Sequence, residues 1–113
     1  MPSLNLSATD AAAVREFARA VRAALGPTLV DLRLFGSKAR GEDDPYSDID
    51  IAVVVREVDR KIWDMVVDLA FDISLAHGVY ISPRVISVAV LRDPVWCLTG
   101  FLQALEREGV TLP

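Results

Sequence analysis

The chain has 113 residues, 52% apolar and 25% charged, a globular balance that excludes a disordered chain and suits one domain spanning 1–113. The formal net charge of −4 and the scatter of the basic residues give no strong nucleic-acid signal. No uncharged run approaches the ~18 residues of a membrane span, and the one cysteine, Cys97, excludes an internal disulfide.

The opening MPSLNLSATD has neither a basic start nor an apolar run, so no secretory leader is expected and the chain reads as cytoplasmic. Ser7, with Asp10 three residues on, resembles a capping box. A helix is predicted over 10–25, where Val14, Phe17, Ala18, Val21 and Leu25 recur at helical spacing before Gly26-Pro27 stops it. Residues 28–35 alternate as a strand, with Val30, Leu32 and Leu34 on one face and Leu29, Asp31 and Arg33 on the other. Residues 36–47, GSKARGEDDPYS, have the composition of a loop or a short helical turn. The β-branched run DIDIAVVV, 48–55, reads as a central, buried strand.

A second helix is predicted over 58–77, with Ile62, Val66, Leu69, Ala70, Ile73 and Ala76 on its apolar face. Asp64, Asp68 and Asp72 recur every four residues along it, an acidic row that reads as a solvated face. Gly78 suits the helix end, and His77 there complements the helix dipole. Residues 79–90 are strand-like, but Pro83 lacks a ladder donor, so the segment is an edge strand, a bulge or two short strands. A last helix is predicted over 94–108, closed by Gly109. It carries Trp96, Leu98, Phe101, Leu102 and Leu105, and Cys97 reads there as a buried thiol. Trp96 and Phe101 are candidate contacts for a partner or a second copy, and Trp63 reads as core or partner contact. The expected fold is a small α/β sandwich, a mixed sheet covered by helices in the order α-β-β-α-β-α.

Chemistry concentrates around the first loop. Asp48 and Asp50 are two apart at the start of a strand, so their carboxylates share a face. Paired hard oxygen ligands suit Mg²⁺, which is held by one or two carboxylates plus substrate phosphates. Gly36-Ser37 leaves the preceding strand: glycine admits close backbone approach to a phosphate, and serine adds a hydroxyl donor. Lys38 and Arg40 bring positive charge to the same turn, Arg40 with a fork suited to phosphate oxygens. Either half of this pattern alone is weak. The two together, ten residues apart around one loop, point to a nucleotide–metal site.

The segment LFGSKARGEDDPYSDIDIAVV resembles the signature of the polymerase-β-like nucleotidyltransferase superfamily, and in size the chain resembles its minimal nucleotidyltransferases. Gly36, Ser37, Arg40, Gly41, Ser47, Asp48 and Asp50 match the pattern. The resemblance implies a single nucleotidyltransferase-like domain in which Asp48 and Asp50 are catalytic and ligate Mg²⁺. It also implies that Gly36, Ser37, Lys38, Arg40 and Ser47 bind the nucleotide, ATP or another NTP. The implied reaction moves a nucleotidyl group, adenylyl by preference, to an acceptor hydroxyl. Minimal members are paired with a small helical HEPN protein in toxin–antitoxin modules, which implies such a partner, with a partner tyrosine as an acceptor, or a homo-oligomer.

One departure bears on catalysis. The resemblance places a third carboxylate on a later strand, but no acid lies between Asp72 and Asp93. Ser82 or Tyr80 occupies that neighbourhood, and a serine hydroxyl is a poor base without activation. Asp72, if turned to the sheet edge, and Asp31 are the substitutes the sequence offers. The alternative reading is a degenerate, antitoxin-like subunit that binds a partner and nucleotide without turnover.

Overall fold

The structure is a computed structural model that describes residues 6–36, 48–93 and 109–112. Helix α1 spans Ala8–Leu25, starting two residues before the predicted helix. The Ser7 hydroxyl accepts from the Asp10 N–H at 3.1 Å, the capping expected from the sequence. A single 3-10 turn at Gly26–Thr28 leads into β1, Leu29–Phe35. β2 runs from Ile49 to Val55, α2 from Arg60 to His77 and β3 from Ile81 to Ser87. The short helix α3, Val88–Arg92, follows, and β4, Val110–Thr111, closes the order. The helix predicted over 94–108 lies outside the described residues.

The four strands form one mixed sheet in the order β3-β2-β1-β4. β1 pairs antiparallel with β2 and β4, whereas β2 and β3 are parallel. Parallel neighbours cannot be joined by a tight turn, so a crossover is required, and α2 supplies it. Asp59 caps α2, its carboxylate accepting from the Ile62 N–H at 2.7 Å, and Gly78 ends it at φ 67°. α1 and α2 cover the same face of the sheet. Phe17 and Val21 of α1 and Val66 and Ile73 of α2 form one core with Leu32, Leu34, Ile49, Ile51, Val53 and Val55. His77 Nε2–H donates to the Glu16 carboxylate and ties the end of α2 to α1. The opposite face carries a smaller cluster, in which Phe35 and Ala52 pack with Ile86, Val90 and Leu91.

Three elements differ from the sequence reading, one of them 88–90, expected within the third strand and found in α3. Val30 does not join Leu32 and Leu34 inside; it is 46% exposed. The register shifts between Leu29 and Asp31, and the extra residue of this bulge takes Val30 out of the alternation. Of the three forms open to the Pro83 segment, the edge strand is the one found: β3 is continuous and lies on the sheet edge, where the missing donor is tolerated. β4 was not expected, since two residues carry no readable period. It exists because β1 offers a second edge. The Leu112 N–H donates to the Leu32 carbonyl at 2.8 Å, and Arg22 Nη2 donates to the Leu112 carbonyl at 2.7 Å.

The bulge makes a simple prediction. Val30→Ala should change stability by no more than about 0.5 kcal/mol in urea denaturation. Ile51→Ala, at a site with 0% exposure, should cost about 2–5 kcal/mol.

Candidate active site

The helix-free alternation of β2 divides its side chains. Ile49, Ile51, Val53 and Val55 enter the helix-covered core, so Asp50 emerges on the opposite face. Its neighbours there follow from the register. Phe35 is its partner on β1 and Ser82 its partner on β3. Asp48 lies just before the strand and is exposed, two residues from Asp50 and on the same side. The entry of β2 is held by its backbone, the Ile49 N–H donating to the Tyr80 carbonyl at 2.7 Å.

Gly36 follows the last residue of β1 at φ 77°, a conformation that L side chains rarely adopt. A Cβ at this position would sit 2.5 Å from Asp50 Oδ2. The backbone of residue 36 therefore passes directly over the carboxylate, in space that only glycine leaves open. This contact joins the two halves of the sequence motif. Ser37, Lys38, Arg40 and Ser47, the remaining expected nucleotide contacts, lie outside the described residues, as does Gly41.

The substitutes for a third carboxylate are not brought to this place. Asp72 is exposed on α2, in the layer that covers the other face of the sheet. Asp31 shares the face of Asp50 but pairs with Val54, four residues along β2, or about 13 Å away. It is also engaged locally, accepting from the Leu32 N–H at 2.9 Å and from Arg33 Nε at 2.7 Å. The residue in register with Asp50 on β3 is Ser82, half-buried. Tyr80, the other residue of that neighbourhood, precedes the strand and is exposed. Among the described residues no group of three or more His, Cys, Asp or Glu side chains is placed to hold a metal ion. Among the described residues, the carboxylates at the start of β2 are Asp48 and Asp50. Two hard carboxylates beside an uncluttered glycine backbone fit a Mg²⁺ that completes its shell with water and phosphate oxygens.

A mixed sheet with one acid on its central strand, a second just before it and a glycine after the neighbouring strand suits the α/β domains that transfer nucleotidyl groups. A family model described as "Nucleotidyltransferase domain" matches residues 14–96, and the chain belongs to that family. A relative from Methanocaldococcus jannaschii, named "Putative protein adenylyltransferase MJ0604", is 39% identical over 101 residues, covering 88% of this chain and 94% of its own. Among solved structures, one described as "Crystal structure of the toxin-antitoxin with AMP-PNP" aligns with a TM-score of 0.56 at 25% identity, over 84% of this chain and 68% of that one. Another, "Structure of putative minimal nucleotidyltransferase", aligns with a TM-score of 0.56 at 24% identity over 92% and 95% of the two chains, and shares the fold. The chain is a nucleotidyltransferase by family. Among the described residues no helix is long and apolar enough to cross a membrane.

Two glycines separate backbone strain from site geometry. Gly36→Ala and Gly78→Ala both force a side chain into positive φ, each costing about 1–3 kcal/mol. Only at Gly36 does the new Cβ meet a carboxylate; nothing lies within 4 Å of a Cβ at Gly78. ATP–Mg²⁺ titration should show affinity reduced at least about tenfold in Gly36→Ala and unchanged in Gly78→Ala.

Proposed function

We propose that the chain is a Mg²⁺-dependent adenylyltransferase acting from ATP on a hydroxyl of a protein partner. The observation that carries this reading is the Gly36 backbone over the Asp50 carboxylate, with Asp48 beside it at the mouth of the strand. The name of the archaeal relative as a protein adenylyltransferase supports the adenylyl group and the protein acceptor. AMP-PNP in the toxin–antitoxin neighbour supports a nucleoside triphosphate and a protein partner. A small helical partner of HEPN type, with a tyrosine as acceptor, is the form in which the minimal enzymes suggest this pairing. The whole of 1–113 would act as one domain.

In this reading Asp48 and Asp50 hold the cation, and the turn from Gly36 through Ser37, Lys38 and Arg40, with Ser47, receives the triphosphate. When bound, Mg²⁺ offsets the negative charge of the triphosphate and of the departing pyrophosphate. The acceptor oxygen forms a bond to the α-phosphorus as the bond from that phosphorus to the β-bridging oxygen breaks. Pyrophosphate leaves, and the acceptor proton passes to solvent or to a base. Positioning and charge stabilisation dominate such transfers, so a carboxylate pair and an anion-receiving turn supply most of what the chemistry asks.

A second reading is favoured by one observation: Ser82, not an acid, stands in register with Asp50. A general base contributes about 10²–10⁴-fold in rate. Without one, the chain would serve chiefly as a nucleotide-binding, antitoxin-like subunit that covers its partner. Transfer of label from α-labelled ATP to a partner protein distinguishes the two. Under the first reading Asp50→Asn lowers transfer by roughly 10²-fold or more, and absence of any wild-type transfer overturns it. Under the second, wild type binds ATP–Mg²⁺ with no detectable transfer, and Ser82→Asp, which places a third acid beside Asp50, brings transfer into the measurable range.

A further inference from the structure

α2 buries Val66, Ala70 and Ile73, but a second apolar row runs beside them along the same helix. Trp63, Val67, Phe71 and Leu75 recur every four residues. Trp63 is 50% exposed, Phe71 62% and Leu75 69%. The row turns toward the free edge of β3, and between them lies a groove of about 450 Å³ whose far wall is Tyr80, Ile81 and Pro83. Past Pro83 lies a second, separate pocket, lined by Trp63, Arg84, Val85 and Ile86 at the β3 edge. Single exposed apolar residues are ordinary, whereas a continuous lined groove marks a binding surface.

The rim says what the occupant must carry. Asp64, Asp68 and Asp72, all exposed, each follow a member of the apolar row by one residue, so they line its solvent side about 100° around the helix. Arg60 lies 3.7 Å from Asp64 and offsets the charge at the Trp63 end. The negative charge of Asp68 and Asp72 remains beside Phe71 and Leu75. A second copy related by a two-fold axis would bring these acidic rows together, which like charges oppose. Head-to-tail contact with the exposed Arg15 and Arg19 of α1 in another copy is heterologous, and nothing in such a contact closes it. A strand added to β3 would meet Pro83, which has no N–H to give it.

We propose that the groove between α2 and the β3 edge is the docking surface for an amphipathic helix of a partner protein, its apolar side on Trp63, Phe71 and Leu75 and its Lys or Arg flank against Asp68 and Asp72. The partner is the one that the functional reading above requires, and the surface rests on that reading for its purpose. The groove and the acid pair belong to different faces: α2 packs on the face opposite Asp50. A partner held here leaves the nucleotide site open, so docking and transfer are separable.

The test uses the full chain and two labelled helical peptides with the same Leu-rich face, one flanked by Lys and Arg, the other by Glu. Fluorescence anisotropy should show the basic peptide binding roughly tenfold more tightly than the acidic one, with the preference shrinking as salt rises. Phe71→Asp with Leu75→Asp should weaken the basic peptide at least about tenfold, and both sites are exposed enough to keep the fold. Asp68→Lys with Asp72→Lys should reverse the preference. Equal binding of the two peptides, binding of neither, or no reversal overturns the proposal. So does sedimentation showing a wild-type dimer that Phe71→Asp dissociates, because the occupant is then a second copy. ATP–Mg²⁺ titration of the same variants should match wild type. Wild-type failure to bind nucleotide while the peptides discriminate counts against the nucleotide reading and leaves the groove standing.

Discussion

Asp50 Oδ2 stands where a Cβ on residue 36 would have to go, 2.5 Å from its ideal position. The backbone can pass there only because residue 36 is glycine, and only because glycine accepts φ 77°. The antiparallel register sets Phe35 opposite Asp50, and the positive φ of Gly36, just past β1, takes the backbone across the carboxylate. A slip of one residue would turn Asp50 into the core and Ile49 or Ile51 out of it. The same pairing that fills the core therefore fixes the site.

β2 carries that double duty through its alternation. Its core-facing residues, Ile49, Ile51, Val53 and Val55, are essentially without exposure and bind the sheet to both long helices. Asp50 is the one ionisable residue of the strand, and it lies at the end where β1 finishes and β3 begins. Further along the same face, Ala52 is small and packs with Phe35 under Val90 and Leu91 of α3. A fully paired central strand thus carries the acid at its end, on a backbone that cannot easily move.

The β3 edge links the site to the rest of the molecule. On one face Ser82 stands beside Asp50. On the other, Ile81 enters the core, and the strand's free side walls the apolar groove under α2. The crossover helix α2 is forced onto the layer it shares with α1 by the parallel pairing of β2 and β3. That placement removes its acidic row from any part in the chemistry and leaves it as a charged rim. Ser82 beside Asp50 and the exposed row on α2 are therefore two separate properties of one βαβ unit.

Much of this was legible in the residues. The periods of α1 and α2, the Ser7 cap, the Gly78 stop and the alternation of β2 are local, and local pattern shows them. The Gly36-Ser37 and Asp48-x-Asp50 pairing identified the family, because that chemistry needs those residue types at that spacing. The absent acid between Asp72 and Asp93 was equally plain. What the sequence could not show depends on which strands meet. The bulge that expels Val30 appears only when β1 is laid against β2. β4 is too short for any period, and exists only because β1 has a free edge and Arg22 reaches the Leu112 carbonyl. Asp72 could be excluded, and Ser82 set opposite Asp50, only once the crossover and parallel register were known. The sequence alone determined which chemical groups are present and the periods that place them on faces. Tertiary structure alone decided which of those faces meet, because strand register and the layer of a crossover helix are set by long-range packing that no local pattern encodes.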